Sequence, residues 1–466
     1  MSTNSANSLG KNYYIKLAVC IIVPILVMLI PLNDTFTAEM RRYVAVTLFG
    51  ICMFIFEVAP GPIIALSFAA GYAVFQVASL DIILQSWSHS LVFQGILCIM
   101  IMEGVNSTPL LKRISAHLVI RLGGSYLGLL MAISLVSLVV AILIPNTFIV
   151  ILVIGMGYGL CKSLDLQSGD TAAVGIMMAS GLFVCEAQNF LYSPQGIGAT
   201  AAMISTTIPG FDIGYSEIIL DNIIFLPMLV IFPIVFSKIY KPDKPISGVE
   251  HFKNELAAMG PLQKGEKNAI IILALMVVYL VSTQWHGYDM AYGFAVAAIL
   301  LFFPACQVAT PSDLKRCDLS LPILIASCMS IGNVGTAVGV SSAVSDAIIP
   351  FLQDMDSSFV FVIFTWLSGV ICNIFMTPMA LYTLLAPILG PIAEALSYSP
   401  KIVAYVLYHT GNQVFFPYEN NTILMMYAFG MMTMRQFCKG AILKMVIDIV
   451  YICAIAVPFW MLLGYL

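Results

Sequence analysis

Long apolar runs separated by short polar clusters occupy most of this 466-residue chain. Runs near 17–31, 43–57, 62–80, 88–108, 171–206, 217–237, 268–284, 290–306, 320–342, 402–430 and 440–463 each suit one membrane crossing, since about 20 apolar residues in a helix span the hydrocarbon core. Two further runs, 126–160 and 357–390, are long enough to cross twice, yet carry polar interruptions at their centres. Pro145-Asn146-Thr147 interrupts the first, and Cys372-Asn373 followed by Thr377-Pro378 interrupts the second. Both are expected to be re-entrant hairpins, because a polar tip at membrane depth is tolerated only where protein buries it or water reaches it. The polar first ten residues, Lys11 and Lys16, and the absence of a small-residue cleavage site make 17–31 the first span rather than a removed leader.

Composition agrees. Hydrophobic residues are 60% of the chain and charged ones 9%, against about 25% charged in a soluble domain, which excludes an ordinary soluble enzyme. The net charge of −4 gives no reason to expect a nucleic-acid partner. The eleven cysteines are scattered and form no CxxC pair, so neither a disulfide framework nor a zinc site is expected.

The charges also orient the chain. With the N-terminus inside, eleven crossings and two hairpins that return to their own side, 17 of the 20 Lys and Arg fall inside and only Arg41, Arg42 and Lys401 outside, as the positive-inside rule requires. Residues 238–267, with six Lys and four acids, read as a solvated cytoplasmic linker. The expected organisation is an N-terminal segment with the first span (1–42), a first repeat (43–237), the linker (238–267) and a second repeat (268–466).

The halves repeat a constellation. Asn146 and Asn373 lie in the two hairpins, 227 positions apart. A broken span follows each: 189–196, containing Ser193-Pro194, and 416–422, containing Asn420-Asn421-Thr422. Ser193 follows Asn146 by 47 residues, and Asn420 follows Asn373 by 47. Five spans per half make the repeats inverted, and inverted repeats with discontinuous helices are the architecture that places a substrate site at the midplane of secondary transporters. A helix that restarts after a break offers unpaired N–H groups and the positive end of its dipole to an anion. No Arg or Lys is expected inside the membrane near these motifs. The opened carbonyls and side-chain oxygens suit a hard cation such as sodium.

Two acids fall beside the breaks, Glu186 and Glu419. Carboxylates at membrane depth cost about 2.5–3.5 kcal/mol even on the lenient insertion scale and are functional by default. Cation binding, proton carriage, holding a substrate amine and capping a helix start all remain open for them. His409 opens a polar run just before the second break and is expected to hydrogen-bond a neighbouring helix.

Met259-Gly260-Pro261-Leu262 followed by Lys264-Gly265-Glu266-Lys267, with the paired hairpin and break motifs, resembles the divalent anion–sodium symporter family of dicarboxylate, citrate, tartrate and sulfate carriers. The resemblance runs over almost the whole chain. It implies that Asn146, Thr147 and Asn373 contact substrate, together with Ser193, Pro194, Asn420, Asn421 and Thr422 at the breaks. It implies sodium binding by Asn146, Asn373 and Ser368, with Cys372 at a tip-serine position. Glu186 and Glu419 stand where the family prefers glycine or a small residue, and they join the candidate cation ligands because of their depth in the membrane. Pro145, Cys372, Ile374 and Ala141 depart from the family's hydroxyl residues.

The expectation is therefore an all-α integral membrane protein that transports a small anion by cation-coupled symport. Sodium is the implied ion and a proton its alternative. Lipid surrounds the protein, a homodimer is implied by the resemblance, and a bacterial inner membrane is the expected location. An exchanger using the same site is the nearest alternative. A membrane-embedded enzyme ranks behind both, because no HExxH, GxSxG or Cys/His ligand set occurs.

Overall fold

A segment surrounded by hydrocarbon must satisfy its backbone polar groups internally. Accordingly, among the described residues every regular element is helical. The structure is a computed structural model and describes residues 11–466 apart from 34–35, 57, 145–148, 243–248, 341–342, 344–356 and 376.

Six described helices are long and apolar enough to cross a membrane: Tyr126–Leu143, Thr171–Gln188, Tyr215–Ile239, Lys264–His286, Pro378–Ala395 and Met434–Leu462. The pair Leu80–Ser88 and Ser90–Asn106, bent by 41°, makes a seventh if taken as one span. Four predicted spans are shorter apolar helices: Tyr13–Met28, Pro62–Val74, Met290–Phe302 and Pro322–Ala337. Ile271, Leu275 and Val278 form an exposed apolar stripe on Lys264–His286, and Ile442, Val446 and Val450 form another on the last helix. Their helical spacing gives each helix one lipid-facing side.

The contacts follow parallel patterns in the two halves. Gly61–Val74 packs on Ser320–Ala337, and Met290–Phe302 packs on Ser90–Asn106. Tyr126–Leu143 and Ile149–Ser163 both pack on Thr171–Gln188; Ser358–Phe375 and Pro378–Ala395 both pack on Pro400–Gly411. The two restart helices then cross over. Ile197–Ser205 lies on Pro378–Ala395 of the second half, and Asn421–Ala428 lies on Ile149–Ser163 of the first.

The second hairpin breaks later than its sequence suggests. Its first helix runs through Cys372 and Asn373 to Phe375, and its second begins at Pro378, with Thr377 at the cap position. Proline has no N–H to lose at the first helical position and a φ already suited to it. Asn373 thus sits in the last helical turn, fully buried. The first hairpin's tip, with Pro145, Asn146 and Thr147, lies outside the described residues.

The linker is more than a solvated loop. Its helix Val249–Met259 packs on Leu110–Leu122. Buried Arg113 donates through Nε to Glu266 Oε1 (2.8 Å) and through Nη1 to the Gly260 carbonyl (2.8 Å). Gly260 has φ +64°, the left-handed conformation that ends a helix and favours glycine. The Met259-Gly260-Pro261 motif therefore turns the chain so that its carbonyl meets Arg113.

Candidate functional site

The first broken span lies in the protein interior, whereas the second is exposed at Phe416 and, along its restart helix, at Leu424 and Met425. Every residue from 172 to 204 is buried, so this apolar segment touches protein and not lipid. Helix Thr171–Gln188 ends at Asn189, an irregular stretch follows, and Ile197–Ser205 restarts from Gly196. A Cβ on Gly196 would lie 2.5 Å from the Tyr408 ring, so only glycine lets the second-half helix approach this break. Thr200 Oγ1 also donates to the Ala404 carbonyl at 3.2 Å.

The second break runs from Asn412 to Asn420, between Pro400–Gly411 and Asn421–Ala428. The Glu419 carboxylate accepts from Phe415 N and Phe416 N, each at 3.0 Å. Asn420 Oδ1 accepts from Ile423 N at 3.4 Å. Asn421 and Thr422 open the restart helix, while their side chains lie outside the described set. Asn373 Nδ2 donates to the Gln413 carbonyl at 2.6 Å, fastening the second hairpin to this break.

A charged network joins the two breaks. Glu186, one turn before the first break, accepts from Asn189 Nδ2 on Oε2 (2.9 Å), and its Oε1 forms an ion pair with Lys444 Nζ (2.6 Å). Lys444 Nζ is also 2.7 Å from Asp448 Oδ2. Gln413 Nε2, from the second break, donates to that same Asp448 oxygen at 2.8 Å. Glu186, Lys444 and Asp448 are each 1% exposed, and charge-assisted bonds of this length are the strong ones.

Lys444 overturns the expectation that no basic residue enters the core near these motifs. It belongs to the apolar helix Met434–Tyr451 and is buried there. The signal was present: Lys444 and Asp448 are four residues apart within one apolar run, hence on one helix face. Glu186 alone could not name its partner, because the two meet only when the halves assemble.

Several buried polar atoms around the breaks have no hydrogen-bond partner among the described residues: Asn189 Oδ1, Ser193 Oγ, Asn373 Oδ1 and both ring nitrogens of His409. His409 packs its ring on Phe225, with centroids 4.2 Å apart, rather than making the hydrogen bond expected of it. Pro194 is buried beside Ser193. Ser368 Oγ donates to the Phe364 carbonyl at 2.7 Å, and Cys372 is partly buried. Among the described residues no three His, Cys, Asp or Glu side chains gather as a metal site.

Two cavities approach the breaks and hairpins. A cleft of about 1290 Å³ is lined by Gln94, Tyr192, Gly198, Asp212, Asp289 and Asn333, and thus reaches the first break. A cavity of about 450 Å³ is lined by Glu103, Asn106, Ile144, Leu152 and Asp318, and reaches the residue before the first hairpin tip.

Residues 11–466 match the family described as the sodium:sulfate symporter transmembrane region. The chain belongs to that family. It is therefore an integral membrane transporter and not an enzyme. Its fold is similar to that of the YdaH transporter of Alcanivorax borkumensis, with a TM-score of 0.56 at 11% identity, over 97% of this chain and 98% of that one. No curated protein matches it.

The polar groups at the breaks fit the sodium that this symporter family implies. The partnerless Asn189 Oδ1, Ser193 Oγ and Asn373 Oδ1 are neutral buried oxygens, the donor type that unwound helix segments offer to sodium. A buried oxygen left without a partner costs roughly 1–3 kcal/mol, which a bound cation or water removes.

Proposed function

We propose that this protein is a cation-coupled symporter for a small dianion of the dicarboxylate, tricarboxylate or sulfate type, working by alternating access. The observation that carries the reading is the continuous chain from Asn189 through Glu186, Lys444, Asp448 and Gln413 to Asn373. It makes the two breaks and the second hairpin one unit, so that a ligand bound at either break is felt at both.

The substrate reading assigns the anion to the space between the hairpin tips and the breaks. Asn146 and Thr147 would face it from the first tip, Ser193 and Pro194 from the first break, and Asn420, Asn421 and Thr422 from the second. Lys444 is already neutralised by two carboxylates, so the anion relies on neutral donors and on the restart helices Ile197–Ser205 and Asn421–Ala428. Sodium would be held at the second hairpin by Asn373 Oδ1, with Ser368, Cys372 and Glu419 nearby in the constellation. The Glu419 oxygens each accept one N–H and keep a lone pair for a cation.

The parallel contacts of the halves support two inverted repeats, 43–237 and 268–466, joined by the cytoplasmic linker. In the orientation set by the Lys and Arg distribution, the larger cleft opens outside and the smaller cavity inside. The two sides then reach the same hairpin–break unit by separate routes. A homodimer in a bacterial inner membrane completes the reading.

The test is counterflow and uptake in proteoliposomes with labelled succinate, citrate and sulfate, with sodium or choline outside. Symport predicts saturable counterflow with one of these anions and uphill uptake driven by a sodium gradient. Counterflow without uphill uptake under sodium or pH gradients would make the protein an exchanger. No counterflow with any of the three would overturn the substrate class.

A further inference from the structure

The Glu186–Lys444–Asp448 cluster is built like a cation site whose cation is covalently attached. The Lys444 ammonium has three oxygens around it: Glu186 Oε1 at 2.6 Å, Asp448 Oδ2 at 2.7 Å and Gln413 Oε1 at 3.5 Å. They come from three separate elements: the helix before the first break, the last helix and the second break. The outer partners are also in place, since Asn189 Nδ2 holds the other Glu186 oxygen and Gln413 Nε2 holds Asp448.

Packing alone does not explain such a cluster. Replacing a buried ion network by apolar residues of similar volume is often neutral or stabilising. Ionisable groups kept at membrane depth face the bundle interior and mark ion pathways or functional pairs. Here two carboxylates share one ammonium, so the cluster carries one net negative charge when both are ionised. Without the ammonium, two carboxylates would be left together in a dry interior, to be neutralised by protons or by another cation.

We propose that Lys444 is a tethered cation: it occupies a monovalent-cation site formed by Glu186, Asp448 and Gln413 Oε1, keeps sodium out of it, and holds the two breaks together through every transport cycle. The inference deepens the symport reading by assigning which position is not available to the coupling ion. Sodium coupling is confined to the hairpin and break oxygens outside this cluster, those of Glu419 among them. Removing the lysine charge creates a further sodium site at Glu186 and Asp448.

The test is equilibrium binding of radioactive sodium to the purified full-length protein, with thermal unfolding measured in sodium and in choline at equal ionic strength. Lys444→Met should bind one more sodium per chain than the wild type, and its melting temperature should depend more strongly on sodium. Adding Glu186→Gln or Asp448→Asn to Lys444→Met should abolish that gain. A folded Lys444→Met protein that binds no additional sodium overturns the proposal, as does a gain that survives both double substitutions.

If Lys444→Met unfolds in choline and is recovered by sodium, the site is supported directly. If it unfolds in both, the neutral triple variant Glu186→Gln/Lys444→Met/Asp448→Asn decides. It leaves no charge in this cluster to satisfy and should bind the wild-type number of sodium ions. Fewer ions would mean that the native carboxylates already ligate sodium, which overturns the proposal. These readouts use no substrate, so an unexpected substrate or an exchange mechanism leaves their interpretation unchanged.

Discussion

Asn373 Nδ2 lies 2.6 Å from the Gln413 carbonyl oxygen, and this one hydrogen bond ties the second hairpin to the second break. A carbonyl can only accept, so the amide nitrogen faces it and Oδ1 points away, without a partner. Asn373→Ala removes the tie and leaves a buried carbonyl unpaired, at roughly 1–3 kcal/mol. Asn373→Asp is worse, because a carboxylate meets a carbonyl with no proton between them. The expected order of melting temperatures is wild type, then Asn373→Ala, then Asn373→Asp. Both variants should raise the sodium concentration for half-maximal uptake. Wild-type values for both would remove Asn373 from the site.

Gly196 tests the contact between the halves. Its Cβ would meet Tyr408 ring carbons at 2.5 and 2.8 Å, inside van der Waals contact. Overpacking of this kind costs typically about 1–3 kcal/mol. Gly196→Ala should lower the melting temperature and slow uptake. Tyr408→Ala should recover part of the loss, because contacting residues are not additive. Additive losses in the double variant would show that Tyr408 is not what excludes a side chain at 196.

The linker is expected to be fixed by Arg113. Removing one partner of a buried ion pair costs about 3–5 kcal/mol, so Arg113→Ala should lower the melting temperature strongly. It should also expose residues 249–259 to protease. Arg113→Lys should rescue little, since a compact ammonium lacks the planar fork that serves both Glu266 and the carbonyls of Met259 and Gly260. Equal behaviour of Lys and Arg at this position would refute that account.

Glu419 separates coupling from capping. Glu419→Gln keeps one carbonyl acceptor for the two N–H groups it serves and removes the charge. The expected result is a rise of about tenfold in the sodium needed for half-maximal uptake, equivalent to about 1.4 kcal/mol. A fall in melting temperature with an unchanged sodium curve would leave Glu419 as a helix-start cap alone.

Topology has its own measurement. Reporters fused after Lys253 and after Leu466 should report opposite sides of the membrane. The same side for both would remove the inverted-repeat proposal.

Much of this was legible along the chain. Apolar runs of membrane length required helices, because hydrocarbon leaves the backbone no other partner. The paired tips and breaks stood out because a proline or a polar cluster inside such a run is costly unless it has a use. Glu186 and Glu419 stood out for the same reason. Local chemistry also marked Pro378 as a helix start, but not that the preceding helix would carry Asn373 into its last turn.

Which groups meet was decided by assembly. Lys444 and Asp448 could be placed on one face from sequence, yet Glu186 lies in the other half of the chain and Gln413 in a different helix break. Only folding brings an ammonium within 2.6 and 2.7 Å of two carboxylates, and a buried charge tolerates no weaker arrangement. Arg113 likewise finds Glu266 and Gly260 across the linker, and Gly196 is required only because the Tyr408 ring arrives from the second half. Sequence fixes what each segment must do in lipid, since that depends on its own composition. Pairing across halves depends on packing geometry, and that belongs to the tertiary structure alone.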